Sequence, residues 1–260
     1  MYDTLRIERE EHLTWLTLDR PDHLNAMNGT LIREVRDFFW NLGDDRDTRV
    51  VVMRGAGRVF CAGGDINDMP RRRDANEYRA TRLAIEQSIA RAVRQLEKPL
   101  IAQIHGAAIG GGCVLAALCD LRIAAVGTKF GLPEVKFGTT ASLGGIYMLT
   151  RIIGLGRAFE LLYLGDSFAA ERALEIGLIN RLVPADALVR ETAAIARAIA
   201  ENFSAELALT RTAILSGLDL DFQSAARLET EAAMQAHLGG DIEAGFARAR
   251  ETLLRKGGTK

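Results

Sequence analysis

The chain has 260 residues and a mass of 28.4 kDa, enough for one large domain or two small ones around a substantial core. Its 33 basic and 34 acidic side chains leave a net charge of −1, which argues against a nucleic-acid binder that works through a basic surface. The 3 cysteines form no Cys-x-x-Cys pair, which excludes a disulfide scaffold, and His12, His23, His105 and His237 show no metal-ligand spacing. Neither a metal nor a resident cofactor is expected.

The first residues are charged from Asp3 onward and contain no apolar run of the signal-peptide kind, so a cytoplasmic location is expected. Residues 4–9 and 13–18 read as a hairpin turning at Glu10 and Glu11, with Leu5, Ile7, Leu13 and Trp15 as its apolar positions. Leu31, Ile32, Val35, Phe38, Phe39 and Leu42 recur at helical spacing over 30–42. Val50 to Met53 is an unbroken apolar run between charges, the pattern of a strand buried on both faces. A charged helix at 75–97 follows, with Tyr78, Ile85, Ile89, Val93 and Leu96 on one face and Pro99 beyond its end.

Residues 99–119 lack Lys, Arg, Asp and Glu over 21 positions, a length that could span a bilayer. Pro99, Gln103, His105, Gly106 and Gly110 to Gly112 break that run. A buried strand at 100–104 and a buried helix from about Gly111 to Leu118 account for it without a membrane. A strand is expected at Leu121 to Ala125, then helices at 144–153, 157–164 and 170–176, and a strand remnant at 178–183. Beyond Ala187 the pattern is helical throughout, with Leu188, Ile195, Ile199 and Phe203 sharing a face. This order implies an α/β core, placed at 1–195, and a helical C-terminal lobe at 196–260.

Glycine is the compositional oddity: 25 residues, of which 15 fall between Gly55 and Gly156. They concentrate in two loops that each follow a buried strand, Gly55-Ala-Gly-Arg-Val-Phe-Cys-Ala-Gly-Gly-Asp65 and His105-Gly-Ala-Ala-Ile-Gly-Gly-Gly-Cys113. Such loops bring backbone N–H groups close to a ligand, and the second opens a helix, where the N-terminus favours negative charge. Two donors aimed at one point would make an oxyanion hole. On the glycine pattern alone, tight turns and close packing explain both loops equally well. Neither fits a dinucleotide fingerprint or a P-loop.

Further motifs narrow the choice. Arg20-Pro-Asp-His-Leu-Asn-Ala-Met27, Phe60-Cys-Ala-Gly-Gly-Asp-Ile66, Gly110-Gly-Gly-Cys113 leading to Cys119-Asp120, Phe130-Gly-Leu-Pro-Glu134 and Ala173-Leu-Glu-Ile-Gly-Leu-Ile-Asn180 occur in order. Together they resemble the crotonase (enoyl-CoA hydratase/isomerase) superfamily over roughly residues 5 to 250. The resemblance implies a crotonase-type spiral of repeated ββα units, with a C-terminal helical trimerisation region and assembly as a homotrimer or a dimer of trimers. It also implies an acyl-CoA thioester as substrate, with coenzyme A entering only as part of that substrate, and no nucleic-acid or membrane partner.

Carried over by position, the oxyanion donors are the backbone N–H groups of Gly64 and Gly111, and the surviving acid–base residue is Glu134. The CoA moiety is expected along Arg20, Leu24, Ala26, Ala62, Asp65 and Ile66. Many relatives carry a lysine where this chain has Asp22, so Arg20 or a basic residue from elsewhere must meet the phosphates. Hydratases of this family use two glutamates on one water, and the position of the first is Val114 here. The family's Gly-x-x-Pro-Gly-x-Gly-Gly loop reads Gly138-Thr-Thr-Ala-Ser-Leu-Gly-Gly145, which puts Ala141 and Ser142 at the water-seating positions.

These departures weigh against two-carboxylate hydration. A single carboxylate beside an oxyanion hole suits isomerisation of an enoyl thioester or an atypical hydration, and Ser142 is a candidate to position a water or a polar substituent. Alternatives are a hydratase-lyase or hydrolase acting on an aromatic or branched acyl-CoA, and a non-catalytic acyl-CoA binder. Asp65 is expected to fix its loop, Asp120 to satisfy backbone donors, and His105, Cys61 and Cys113 to be structural. Arg71-Arg-Arg73 reads as the start of a solvated basic face.

Overall fold

The structure is a computed structural model; it describes residues 2–68 and 87–257, apart from the side chains of 44 and 252–257. The helix expected at 75–97 is described only over 87–95 (α2), so Arg71 to Arg73 and the helix's first turns lie outside the described residues. Two compact units are present, Met1–Ala200 and Glu201–Lys260. The division follows the end of a helix that runs through the boundary expected at 195, because that helix belongs to the core of the first unit.

The first unit is built on a six-stranded sheet in the order β1-β2-β3-β4-β6-β9. β1 (Leu5–Glu10) and β2 (Leu13–Leu18) form the expected antiparallel hairpin. β3 (Val50–Gly55), β4 (Leu100–Ile104), β6 (Leu121–Ala125) and β9 (Arg181–Val183) then add in parallel. Alternation sorts their side chains by face. Leu16, Leu18, Val51, Met53, Leu100, Ala102 and Ile104 enter one cluster with Leu31, Val35 and Phe39 of α1 (Gly29–Asn41) and Ile89 and Val93 of α2. Leu13, Trp15, Val50, Val52, Ile101 and Ile123 enter the other, covered by Leu188, Ala193, Ala196 and Ala200 of α7 (Leu188–Ala200). Unbroken apolar runs were therefore the correct signal for strands covered on both sides.

A second sheet was not expected. β5 (Ala107–Ile109), β7 (Lys129–Gly131) and β8 (Ser167–Ala169) pair in that order, β5–β7 parallel and β7–β8 antiparallel. Three-residue strands carry no readable alternation, and each exists because a neighbour supplies its hydrogen bonds. The second glycine-rich loop is thus a turn, the strand β5 and then α3 (Gly111–Ala117). The uncharged run 99–119 resolves into β4, β5 and α3, and among the described residues no helix is long and apolar enough to cross a membrane.

α4 (Gly145–Ile153), α5 (Leu155–Leu164) and α6 (Ala170–Glu175) fall where the spacing placed them, α5 starting two residues earlier than expected. Leu178 and Ile179 are buried but bond back to the Ala173 carbonyl, so β9 starts only at Arg181. The second unit consists of α8 (Ser204–Gly217), α9 (Phe222–Leu238) and α10 (Asp241–Gly257). Asp221 caps α9 by accepting from the N–H groups of Gln223 and Ser224.

One buried cation ties the core to the motif at 173–180. Arg122, 5% exposed on β6, donates through Nε to the Leu178 carbonyl at 2.6 Å and through a guanidinium nitrogen to the Cys119 carbonyl. Asn180 pairs with its backbone in both directions, accepting from Arg122 N–H at 2.8 Å and donating to the Arg122 carbonyl at 2.9 Å. Replacing Arg122 by Met would leave two buried carbonyls without donors. Arg122→Met should lower the unfolding free energy by about 2–4 kcal/mol, at ~1–2 per orphaned group, in a urea titration.

Candidate active site

Segment 20–27 is fastened to the loop after β3 by one side chain. Asn25 is 0% exposed, and its amide donates to the carbonyls of Ala56 at 2.8 Å, Val59 at 2.9 Å and Phe60 at 3.2 Å. Its Oδ1 accepts from Arg20 N–H at 2.9 Å. The backbone then continues the attachment: Ala62 N–H donates to the Leu24 carbonyl at 3.0 Å, and Met27 N–H to that of Gly63 at 2.7 Å.

The other edge of the same loop meets β5. Cys61 N–H donates to Ala107 at 3.1 Å, and Ile109 N–H to Cys61 at 3.0 Å. This approach needs a glycine at 112, where a β-carbon would stand 2.3 Å from the Cys61 carbonyl oxygen. Gly110 N–H donates to Gly131 at 2.8 Å at the end of the β5–β7 pairing, with Gly110 at φ +53°. Five backbone segments, 24–27, 61–64, 107–110, 129–131 and 167–169, therefore lie side by side.

This arrangement brings three of the expected site residues together. Gly64 sits in a parallel bridge with Met27, whose carbonyl accepts from Asp65 N–H at 3.1 Å, so the Gly64 N–H points away from Met27. Gly111 is the first residue of α3, and its N–H has no partner within the helix. Among the described residues neither N–H finds an acceptor. The Gly64 nitrogen lies 3.9 Å from where a β-carbon on Gly111 would stand.

Glu134 is held in a short 3₁₀ helix, Pro133–Phe137, which follows β7 and the buried Leu132. Its Oε1 lies 3.1 Å from the β-carbon position of Gly110, one residue from Gly111. Its Oε2 is buried with no hydrogen-bond partner among the described residues. Burial pushes this carboxyl above the usual carboxylate range. Pro133 opens the turn, and no donor meets the buried oxygen among the described residues.

Val114 is 1% exposed, and its methyl groups fill the space beside Gly145, where a β-carbon would meet them at 2.5 and 2.8 Å. The place of a second carboxylate is thus packed hydrocarbon. Ser142 is half-buried in the adjoining loop, and its carbonyl accepts from Gly145 N–H at 2.8 Å, so its backbone shapes the turn. Cys61 and Cys113 are buried, and desolvation pushes both thiols up to about 12, which rules out a thiolate nucleophile near neutral pH. His105 bonds the Gly57 carbonyl at 3.0 Å, and the Asp120 carboxylate accepts from Leu100 N–H at 2.8 Å.

Of the residues expected along coenzyme A, Leu24, Ala26 and Ala62 form one partly exposed strip, and Ile66 is 74% exposed beside it. Arg20 and Asp65 are engaged with each other, and Asp65 fixes its loop as expected. Arg20 donates to Asp65 Oδ2 at 3.0 Å and to the Ala26 carbonyl, with the two side chains 12% and 9% exposed. Asp65 Oδ1 also accepts from Asn67 N–H at 3.1 Å. Burial alone would raise the Asp65 carboxyl, but the hydrogen bonds from Arg20 and Asn67 outweigh it and hold the group below its usual value. Asn25, Gly110 and Met27 lie within the quoted motifs, but no individual role was read for them from the sequence. Their roles depend on backbones that meet only in the fold, and no spacing signals them.

With this geometry in place, comparison with known proteins gives a consistent answer. Residues 8–253 match the enoyl-CoA hydratase/isomerase family, and the chain belongs to that family. It is 36% identical over 234 residues to a crotonyl-CoA hydratase of Syntrophomonas wolfei, covering 89% of this chain and 88% of that protein. The crystal structure of an enoyl-CoA hydratase from Bacillus anthracis superposes with a TM-score of 0.91 at 30% identity, covering 96% of this chain and 97% of that one. A monofunctional enoyl-CoA isomerase from M. smegmatis gives a TM-score of 0.74 at 32% identity, covering 86% and 98%. The fold is the crotonase fold, and the chain is an acyl-CoA enzyme of this family.

Two stability measurements test the site's electrostatics. Removing one partner of the buried pair with Asp65→Ala should cost about 3–5 kcal/mol. A carboxyl lowered by folding stabilises above its ordinary value of about 3.9 and loses that contribution as pH falls through the folded value. The deficit of Asp65→Ala should therefore be full at pH 7 and shrink below about pH 4. Glu134 has the opposite sign. Its raised carboxyl contributes most below its ordinary value of about 4.3, and that contribution is lost as pH rises. Glu134→Gln should match the wild-type Tm near about pH 4 and exceed it at about pH 8 in calorimetric scans.

Proposed function

We propose that the protein stabilises the enolate of an acyl-CoA thioester and isomerises a 3-enoyl to a 2-enoyl chain. The observation that carries this reading is the adjacency of the unpaired Gly64 and Gly111 N–H groups to one half-buried carboxylate, Glu134, with Val114 in place of a second. In this scheme the thioester oxygen accepts from both N–H groups. Glu134 takes the proton from the α-carbon, and the electron pair spreads over the dienolate and that oxygen. The same carboxyl returns the proton to the γ-carbon, so the double bond moves into conjugation and no atom is gained or lost. Donors already in place stabilise the charge without reorganising, an effect of about 3–4 kcal/mol per donor in a protease example. The raised carboxyl makes Glu134 a stronger base than an exposed one.

Coenzyme A would lie along Leu24, Ala26, Ala62 and Ile66. Arg20 and Asp65 brace that strip from behind, leaving the phosphates to a different basic group. Assembly into a homotrimer or a dimer of trimers, as the resemblance implies, is supported by large apolar side chains left exposed in each unit, among them Phe137 and Tyr163 in the first and Phe222, Leu238 and Phe246 in the second.

Hydration is the second reading, and the specific observation in its favour is that the relative from Syntrophomonas wolfei is a crotonyl-CoA hydratase. Matched 3-enoyl- and 2-enoyl-CoA substrates separate the two. Isomerisation should be the faster reaction, and Glu134→Gln should reduce it by at least about 100-fold, the lower range for loss of a general base. Rapid hydration of a simple 2-enoyl-CoA would remove the argument from Val114. Thioester binding with no turnover on either substrate would leave a non-catalytic binder.

A further inference from the structure

We infer that Met27 is the positioning residue that sets the spacing of the two thioester-oxygen donors. The inference rests on the reading of Gly64 and Gly111 given above and adds to it a residue assigned no role there. Met27 reaches both donors by different means. Its backbone holds the first: Met27 N–H donates to the Gly63 carbonyl at 2.7 Å and its carbonyl accepts from Asp65 N–H at 3.1 Å, which clamps Gly64 between two hydrogen bonds.

Its side chain holds the second. The Met27 methyl carbon lies 2.2 Å from where a β-carbon on Gly111 would stand, its sulfur 3.9 Å from the same point, and the Gly64 nitrogen also 3.9 Å from it. The methyl group thus packs against Gly111 on the side where a β-carbon would project. A β-carbon at 111 would displace the Met27 methyl from this position. Met27 is 8% exposed, so the contact is shielded from solvent and closely packed.

An oxyanion must lie within about 2.7–3.1 Å of both donors, and misplacement by ~1 Å can cost on the order of 100-fold in rate. Removing the methyl and sulfur leaves a void against Gly111 on one side only, so the donors shift relative to each other while the backbone clamp on Gly64 persists. The effect should fall on the transition state more than on binding, because most of the binding surface for coenzyme A lies elsewhere.

The test uses the full-length protein and two probes, cinnamoyl-CoA, whose absorbance band moves to longer wavelength when its carbonyl is polarised, and butyryl-CoA, whose α-proton exchange in deuterated water reports enolate formation. Met27→Ala should shrink the band shift of bound cinnamoyl-CoA and lower kcat for exchange about 10–100-fold, with KM changed by less than about threefold. Met27→Leu, close in volume, should recover most of both signals. A Met27→Ala protein with a lower Tm but an unchanged band and kcat would reduce Met27 to a packing residue and overturn the inference. Should Met27→Ala fail to fold, Met27→Val is read by the same criteria. Wild-type protein that neither shifts the band nor exchanges the proton would remove the donor reading, and this inference with it. Wild-type protein that does both, beside an unaffected Met27→Ala, would remove the inference alone.

Discussion

The backbone of Ala107–Ile109 is hydrogen-bonded along both edges, to Cys61 on one side and to Lys129–Gly131 on the other. The candidate site is built on that double attachment. It fixes the loop after β3, the start of α3 and the turn that carries Glu134 in one frame, although they lie up to about seventy residues apart in sequence. Backbone hydrogen bonds suit the task because their geometry is set by the peptide unit and not by flexible side chains. Each is worth only about 1 kcal/mol net, but together they leave little freedom for the groups they flank.

The large sheet supplies the other half of the constraint. Its parallel strands end in the loops that carry the glycines, and crevices at the carboxyl ends of parallel strands are where α/β proteins place ligands. Both faces of that sheet are buried, one under α1 and α2 and the other under α7, so the strand ends are held by the hydrophobic cores. Rigid strands then hold the glycine-rich loops, and the N–H groups of Gly64 and Gly111, in place.

Charge is used sparingly inside this frame. Arg20 and Asp65 neutralise each other beneath the site, and Arg122 spends its charge on two carbonyls. Glu134 is the exception: half-buried, with one oxygen facing no donor among the described residues and its carboxyl raised by desolvation. A carboxyl oxygen buried without a partner costs stability, which sets Glu134 apart from the paired charges around it.

The sequence by itself determined the large-scale plan. Hydrophobic alternation and unbroken apolar runs located the hairpin, β3, β4, β6 and the helices from α3 to α7, because burial of apolar area is written locally in the side chains. The motifs likewise pointed to Gly64, Gly111 and Glu134 and exposed the missing carboxylate at Val114. The tertiary structure alone decided the rest. The sheet of β5, β7 and β8 has too few residues to carry a pattern and exists through its neighbours' backbones. That Arg20 pairs with Asp65 was not readable from the sequence, since an ion pair is a matter of distance across 45 positions. Met27 closes one of the motifs, but its place against Gly111 is set by two loops whose meeting no local pattern encodes.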